Sequence, residues 1–248
     1  MIKPQILSPG EEVNVVGYVF QTPLVTKGWT WLPVAQWITW LIMAWEAGRL
    51  HPRRTWTQRM GVGALMMPVI LGSEWCHNLA HAAVAWRLGK PADAIRLNWG
   101  MPLLVYYDDE DPHVTPRQHI LRALGGPVLN ALFLGLAAVW RRFTRPGSVS
   151  RDVSDAAVGM NAFLVLGGML PIPYIDGGAV FKWALVEKGH TPAEADGRVK
   201  VVNAYAAAGL GVGALAAFKM RKRFLGSIFA MFAATAVLIA AGLLREKE

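Results

Sequence analysis

The stretch from Leu71 to Val84 reads Leu-Gly-Ser-Glu-Trp-Cys-His-Asn-Leu-Ala-His-Ala-Ala-Val, and it sets two histidines and a glutamate inside an otherwise apolar run. The run as a whole, about Gly61 to Trp86, is long enough to cross a bilayer as a helix. Lipid offers no hydrogen-bond partners, so ionisable groups at that depth face a protein interior or a wet cavity and have a task there. His77 and His81 are four residues apart. On a helix this turns the second ring by only about 40° and raises it by roughly 6 Å, so both imidazoles reach one ion. A lone histidine on an apolar helix is ordinarily a hydrogen-bonded core residue; two in this register shift the balance toward a metal site.

Composition agrees with a membrane setting. The chain has 248 residues, 54% of them hydrophobic and only 17% charged, with a mean hydropathy of +0.31, too apolar for an ordinary soluble domain. Several of its eleven tryptophans (Trp29, Trp31, Trp45, Trp86, Trp140) fall near the ends of apolar runs, as headgroup anchors do. The net charge of +8 resides in short clusters between apolar runs, not along one face. That distribution suits contact with membrane lipids and predicts no nucleic-acid partner. The single cysteine, Cys76, has no intramolecular disulfide partner. Met1 to Gly10 holds no continuous apolar segment and predicts no cleaved signal peptide, and neither end carries a lipidation motif.

Along the chain, Val13 to Val25 is broken by Gly17 and Pro23 and predicts extended, interfacial structure. Spanning helices are expected at Trp29–Ala47 and Gly61–Trp86. Residues 94 to 107 switch to a period of two, with a turn at Gly100-Met-Pro, which predicts a small hairpin. The acidic run Asp108 to Asp111 reads as a solvated loop, without the alternating spacing of a calcium loop. A third helix, His119–Trp140, contains Gly-Gly-Pro-Val-Leu-Asn130, where proline implies a kink and Asn130 is another polar group at depth. The fourth segment, Ala156–Val186, is interrupted by Gly167-Gly-Met-Leu-Pro-Ile-Pro-Tyr-Ile-Asp-Gly-Gly178, which forbids a regular helix and puts Asp176 against protein or a cavity. A polar link and two more apolar runs, Val201–Phe218 and Phe224–Leu244, follow. The expectation is an all-α, multi-pass integral membrane protein: about six transmembrane helices, a β-hairpin after the second, and one membrane-embedded domain over 1–248. Lys and Arg are densest in the loops at 49–59, 141–151 and 219–223, which favours those loops inside and both termini outside.

Two imidazoles on one helix face and a carboxylate in a later broken helix, with a fourth position left to water, describe the donor set of a catalytic zinc site. Here the chain resembles the site-2 protease family of intramembrane zinc metalloproteases, which carry His-Glu-x-x-His on one helix and Asn-x-x-Pro-x-Pro-x-Leu-Asp-Gly on a later one. The matching segments are His77-Asn-Leu-Ala-His81 and Gly168-Met-Leu-Pro-Ile-Pro-Tyr-Ile-Asp176-Gly, and Gly126-Pro-Val-Leu-Asn130 is similar to the family's Gly-Pro-x-x-Asn element. The resemblance covers about residues 60–185, followed by two C-terminal helices over 201–244. It implies that His77, His81 and Asp176 bind Zn2+, that Asn130 and position 168 face substrate, and that the hairpin at 94–107 offers an edge strand to an extended substrate.

Two departures bear on activity. Asn78 stands where the family has its general-base glutamate, and a carboxamide has no capacity to take and return a proton near neutral pH. Gly168 stands where the family has asparagine and offers no side-chain donor or acceptor. Glu74, three residues before His77, is the candidate substitute base; a structural role, or a hydrogen bond to a ligand histidine, is the competing reading. Cys76 is a poor nucleophile candidate, since its neighbour His77 points elsewhere on a helix. The resulting expectation is a hydrolytically weakened or inactive zinc-protease homologue, a pseudoenzyme that binds a transmembrane protein partner or serves as a subunit of a larger membrane complex. The alternatives are an active intramembrane protease, relying on Glu74 or on the metal's polarisation of water alone, and a structural membrane protein in which the His and Asp side chains only hydrogen-bond.

Overall fold

A computed structural model describes residues 7–108 and 110–243. Residues 1–6, Asp109 of the acidic run and the terminal residues from Leu244 lie outside the described residues, and with them the expectations about the extreme ends. The fold is mostly helical, with four short strands, and divides into two compact units. The larger contains Leu7–Asp109 and Leu124–Gly167; the smaller contains Glu110–Ala123 and the chain from Gly168 onward.

The larger unit begins with β1 (Asn14–Val19) and β2 (Thr22–Thr26), an antiparallel pair closed by Phe20 and Gln21 at φ 48° and 64°. The single extended segment expected over 13–25 is therefore a hairpin. Two left-handed residues in succession make the tight turn that strand twist favours, but Phe-Gln carries none of the Asn-Gly signal that normally announces it. β3 (Ala94–Asn98) and β4 (Met101–Val105) form the expected second hairpin. Its turn is Trp99-Gly100, at φ 54° and 88°, and Pro102 lies in the strand. Proline is tolerated there because β4 is an edge. β2 runs parallel to β3 through Leu24 and Val25, which joins the hairpins into one sheet in the order β1-β2-β3-β4.

A short 3-10 turn at Gly28–Trp31 leads into α1 (Val34–Leu50). Thr55 and Gln58 then form a reciprocal capping box that opens α2 (Trp56–Arg87) five residues before the apolar run begins. α1 and α2 pack closely because Gly63 has no side chain; a Cβ there would lie 2.6 Å from the Ala44 nitrogen. Ala47, Val62 and Met66 form the contact, joined by Val153 of α4 (Val149–Gly168). α3 (Pro116–Phe143) is continuous through Pro127, and its residues from Leu124 belong to this unit. Loops 49–59 and 141–151 meet at one end, where the buried Asp152 carboxylate accepts from Arg54 Nη1 at 2.5 Å and lies 3.2 Å from His51 Nε2.

In the smaller unit, residues 169–175 break the chain before α5 (Asp176–Glu187). α6 (Pro192–Lys219) starts inside the segment expected to be a polar link, because Thr191 and Glu194 form another capping box with Pro192 at the first helical position. α7 (Arg223–Ala240) returns after a short turn. Ile172 of the broken segment is fully buried against Ala207, Ala236 and Ile239, and Asn203 Nδ2 donates to the Ala236 carbonyl at 2.9 Å. By length and composition, α3 and α6 are the two helices among the described residues able to cross a membrane, and Leu225–Ala240 is a shorter apolar helix.

Candidate metal centre

α2 presents Ser73, His77 and His81 on one buried face, at the i, i+4, i+8 spacing that keeps side chains in line. The two rings meet edge to face, with His81 Nε2 3.0 Å from His77 Nε2. α3 closes over them. A Cβ at Gly126 would fall 2.5 Å from both His77 Cε1 and His81 Nε2, and one at Gly125 would fall 2.9 Å from the Ala80 carbonyl, so two glycines are needed for the helix to come this near. One turn on, the fully buried Asn130 puts its Oδ1 2.6 Å from His77 Nδ1. Asn130 is thus placed on a histidine of the site.

Behind Asn130 the polar chain continues. Asn130 Nδ2 donates to Asn161 Oδ1 of α4 at 2.7 Å, and Asn161 Nδ2 donates to Ser73 Oγ at 3.1 Å and to the Ala157 carbonyl at 2.8 Å. Ser73 Oγ donates to the Val69 carbonyl at 2.8 Å. On the histidine side, the Gly126 amide donates to His81 Nδ1 at 3.3 Å. Ser73 and Asn161 were not singled out from sequence. Asn161 carries the same signal as Asn130, a carboxamide within an apolar run, and Ser73 shares the helical face of the histidines.

Glu74 and Asn78 are each one step, about 100°, away from the buried stripe. They pair with one another: Asn78 Nδ2 donates to the Glu74 carbonyl at 3.0 Å and reaches the Glu74 carboxylate at 3.4 Å. Among the described residues, the carboxylate of Glu74 hydrogen-bonds to Asn78 and not to an imidazole.

In the smaller unit, Asp176 is the first residue of α5, where a carboxylate is favoured by the positive end of the helix dipole. The loop before it folds back over the helix start. A Cβ at Gly177 would lie 2.3 Å from the Met169 carbonyl carbon, and one at Gly178 2.1 Å from the Ile172 oxygen, so the Gly-Gly pair after Asp176 is a steric requirement of this loop. Tyr174 completes the reversal at φ 69°. Gly168, at the end of α4, has one non-neighbouring atom near its would-be Cβ: Asp176 Oδ2, at an ordinary contact distance of 3.5 Å.

The donor set suits zinc. Two imidazole nitrogens held by a tetrahedral ion with bonds of 2.0–2.1 Å stand about 3.3 Å apart, close to the 3.0 Å found between the two Nε2 atoms. With its Nδ1 accepting from Gly126, His81 donates from Nε2 to His77 here, and that proton would have to leave Nε2 for an ion to take its place. The Nδ1 of His77 already has the outward hydrogen bond that metal-binding histidines make.

No family model matches the chain, and no curated protein matches it. Among solved structures it is similar to a site-2 protease from Methanocaldococcus jannaschii, with a TM-score of 0.54 over 96% of this chain and 97% of that one, at 13% sequence identity. At that identity the likeness is one of fold: the chain has a site-2-protease-like fold.

Proposed function

We propose that the chain is a multi-pass membrane protein that binds Zn2+ through His77, His81 and Asp176, is weakened or inactive as a protease, and acts by binding a transmembrane partner or as a subunit of a membrane complex. A membrane setting is supported by α3 and α6 and by the apolar residues facing outward, among them Trp37, Leu41 and Trp45 on α1, Leu132 and Leu136 on α3, and Val212 and Leu215 on α6. Six spans follow if α1, α2, α4 with α5, and α7 cross as well. Lipid then solvates those faces.

The observation that carries the inactive reading is the use of Asn78. Its amide nitrogen is committed to Glu74, and a carboxamide accepts no proton at neutral pH. Bound zinc would supply polarisation of a carbonyl and of water. The residues around it would hold the ion, with His77 oriented by Asn130, but none at position 78 would receive a proton. Loss of a general base costs about 10² to 10⁴ in rate. Glu74, engaged with Asn78, is better described as its structural partner than as its replacement.

Metal analysis and a cleavage assay on a transmembrane peptide test this together. Stoichiometric zinc with no turnover is the expected result for the wild type. Asn78→Glu combined with Gly168→Asn restores both family positions, and a Cβ at Gly168 meets only Asp176 Oδ2, at an ordinary 3.5 Å, so turnover should appear there if anywhere. Wild-type cleavage that is lost in Glu74→Gln would establish the active alternative, and a zinc-free wild type would remove the metal.

A further inference from the structure

The hydrogen bonds behind His77 have directions, and one of them has no freedom. The Ala157 carbonyl on α4 accepts and never donates. The Asn161 atom 2.8 Å from it must therefore be the amide nitrogen, which turns Asn161 Oδ1 toward Asn130. An oxygen there requires the Asn130 nitrogen opposite it, at 2.7 Å, which turns Asn130 Oδ1 toward His77. An oxygen 2.6 Å from Nδ1 in turn requires the proton on Nδ1, and a neutral His77 then keeps its lone pair on Nε2. Nε2 is the atom that faces His81.

We propose that Asn161 is a positioning residue: through Asn130 it transmits the direction of one α4 carbonyl to His77 and selects the tautomer whose Nε2 lone pair can take a metal. Every member is buried, with Asn130 0% and Asn161 2% exposed, so no solvent offers a competing partner. Asparagine suits the role because its two ends differ; a hydroxyl, which donates or accepts, transmits no direction. Ser73 illustrates the contrast. Its hydroxyl adds a second acceptor for Asn161 Nδ2, whose orientation the Ala157 carbonyl determines. Its backbone carbonyl also accepts from Asn130 Nδ2, but at 3.5 Å, so the 2.7 Å bond to Asn161 is the closer of the two contacts that orient Asn130.

The inference rests on the zinc reading only for its purpose; the tautomer itself is measurable without metal. Imidazole nitrogen NMR on the full chain in micelles, stripped by a chelator, reads it directly, and zinc titration against a chromophoric chelator reads the affinity. Wild type should show His77 protonated at Nδ1. Asn161→Leu removes the directional link and should give mixed tautomers, with zinc bound about 10- to 100-fold more weakly, as when other partners of ligand histidines are lost. Asn161→Ser, which keeps a polar group and is gentler on folding, should mix the tautomers as well. Ser73→Ala should leave the tautomer as in wild type. Asn130→Asp in the Asn161→Leu background should restore it, because a carboxylate is acceptor-only toward Nδ1 and needs no orienting partner. A tautomer unchanged in both Asn161→Leu and Asn161→Ser would overturn the proposal. Tautomer loss in a protein that binds no zinc would uphold the relay and reject the metal reading, so the two failures are distinguishable.

Discussion

Gly126→Ala adds one methyl group at the point where α3 rests on both histidine rings. The new Cβ would lie 2.5 Å from His77 Cε1 and from His81 Nε2, against about 3.4 Å for an ordinary contact, so the rings or the helix must give way by about 0.9 Å. Helix propensity favours the change by about 1 kcal/mol. Overpacking opposes it by about 1–3 kcal/mol, and the net effect on folding is a modest loss. The effect on metal is larger, because ligand distances tolerate shifts of only about 0.2 Å. A structural zinc site is worth about 10–16 kcal/mol over four ligands, or roughly 3 kcal/mol each, so displacing one imidazole should weaken zinc binding by roughly 100-fold or more. Gly135→Ala on the same helix, with nothing within 4 Å of its would-be Cβ, is the control; it should stabilise by about 1 kcal/mol and leave affinity unchanged. Zinc competition and thermal unfolding in detergent measure both quantities. Wild-type zinc affinity in Gly126→Ala would refute the reasoning, since it would mean that the contact between α3 and the two rings does not hold them.

Two further outcomes concern regions away from the histidines. Asp152→Asn breaks a pair whose side chains are 5% and 12% exposed and leaves the Arg54 charge without its counterion, so it should destabilise the fold by about 3 kcal/mol in a denaturant titration in mixed micelles. Glu11, before β1, has its carboxyl held below the usual carboxylate range, first by the side-chain hydrogen bond from Lys27 and then by the Ser8 amide. Because its folded pKa lies below the unfolded one, its contribution is present above the unfolded value near 4.5 and is lost as pH falls through the folded one. An NMR titration of the Glu11 carboxyl should show the low value in wild type and a rise toward 4.5 in Lys27→Gln.

What could be read in advance follows the range of each interaction. The i, i+4 histidines, the break expected at 167–178 and the 94–107 hairpin are set by residues near in sequence, and each is found, the hairpin with its turn at Trp99-Gly100 instead of Gly100-Met-Pro and the break narrowed to 169–175. Capping boxes at Thr55 and Thr191 were equally local and extend α2 and α6 beyond their apolar runs; hydropathy alone does not register a polar first turn. The β1–β2 hairpin was hidden because Phe20 and Gln21 adopt left-handed backbone that neither residue type announces. The parallel pairing of β2 with β3 joins residues about seventy apart and leaves no mark on either strand. Asn161 was passed over for a related reason: its role depends on which partner stands across from it, and a lone carboxamide in an apolar run does not name that partner.

The pairing of Glu74 with Asn78 changes how the missing base is understood. Two imidazoles and one carboxylate around Zn2+ leave a net charge of +1, and a glutamate at position 78 would have neutralised it; asparagine there leaves it standing. An uncompensated charge at membrane depth is costly, so a nearby carboxylate would have electrostatic value at such a site whether or not it moves a proton. Glu74 sits three residues, about 4.5 Å of helix rise, before His77, and Asn78 donates to both its backbone carbonyl and its side chain. The same residue that removes the base therefore fixes a second carboxylate one turn along α2. In the zinc-bound protein proposed above, that arrangement would let the negative charge favour retention of the ion while keeping it out of the position from which the family's glutamate moves a proton.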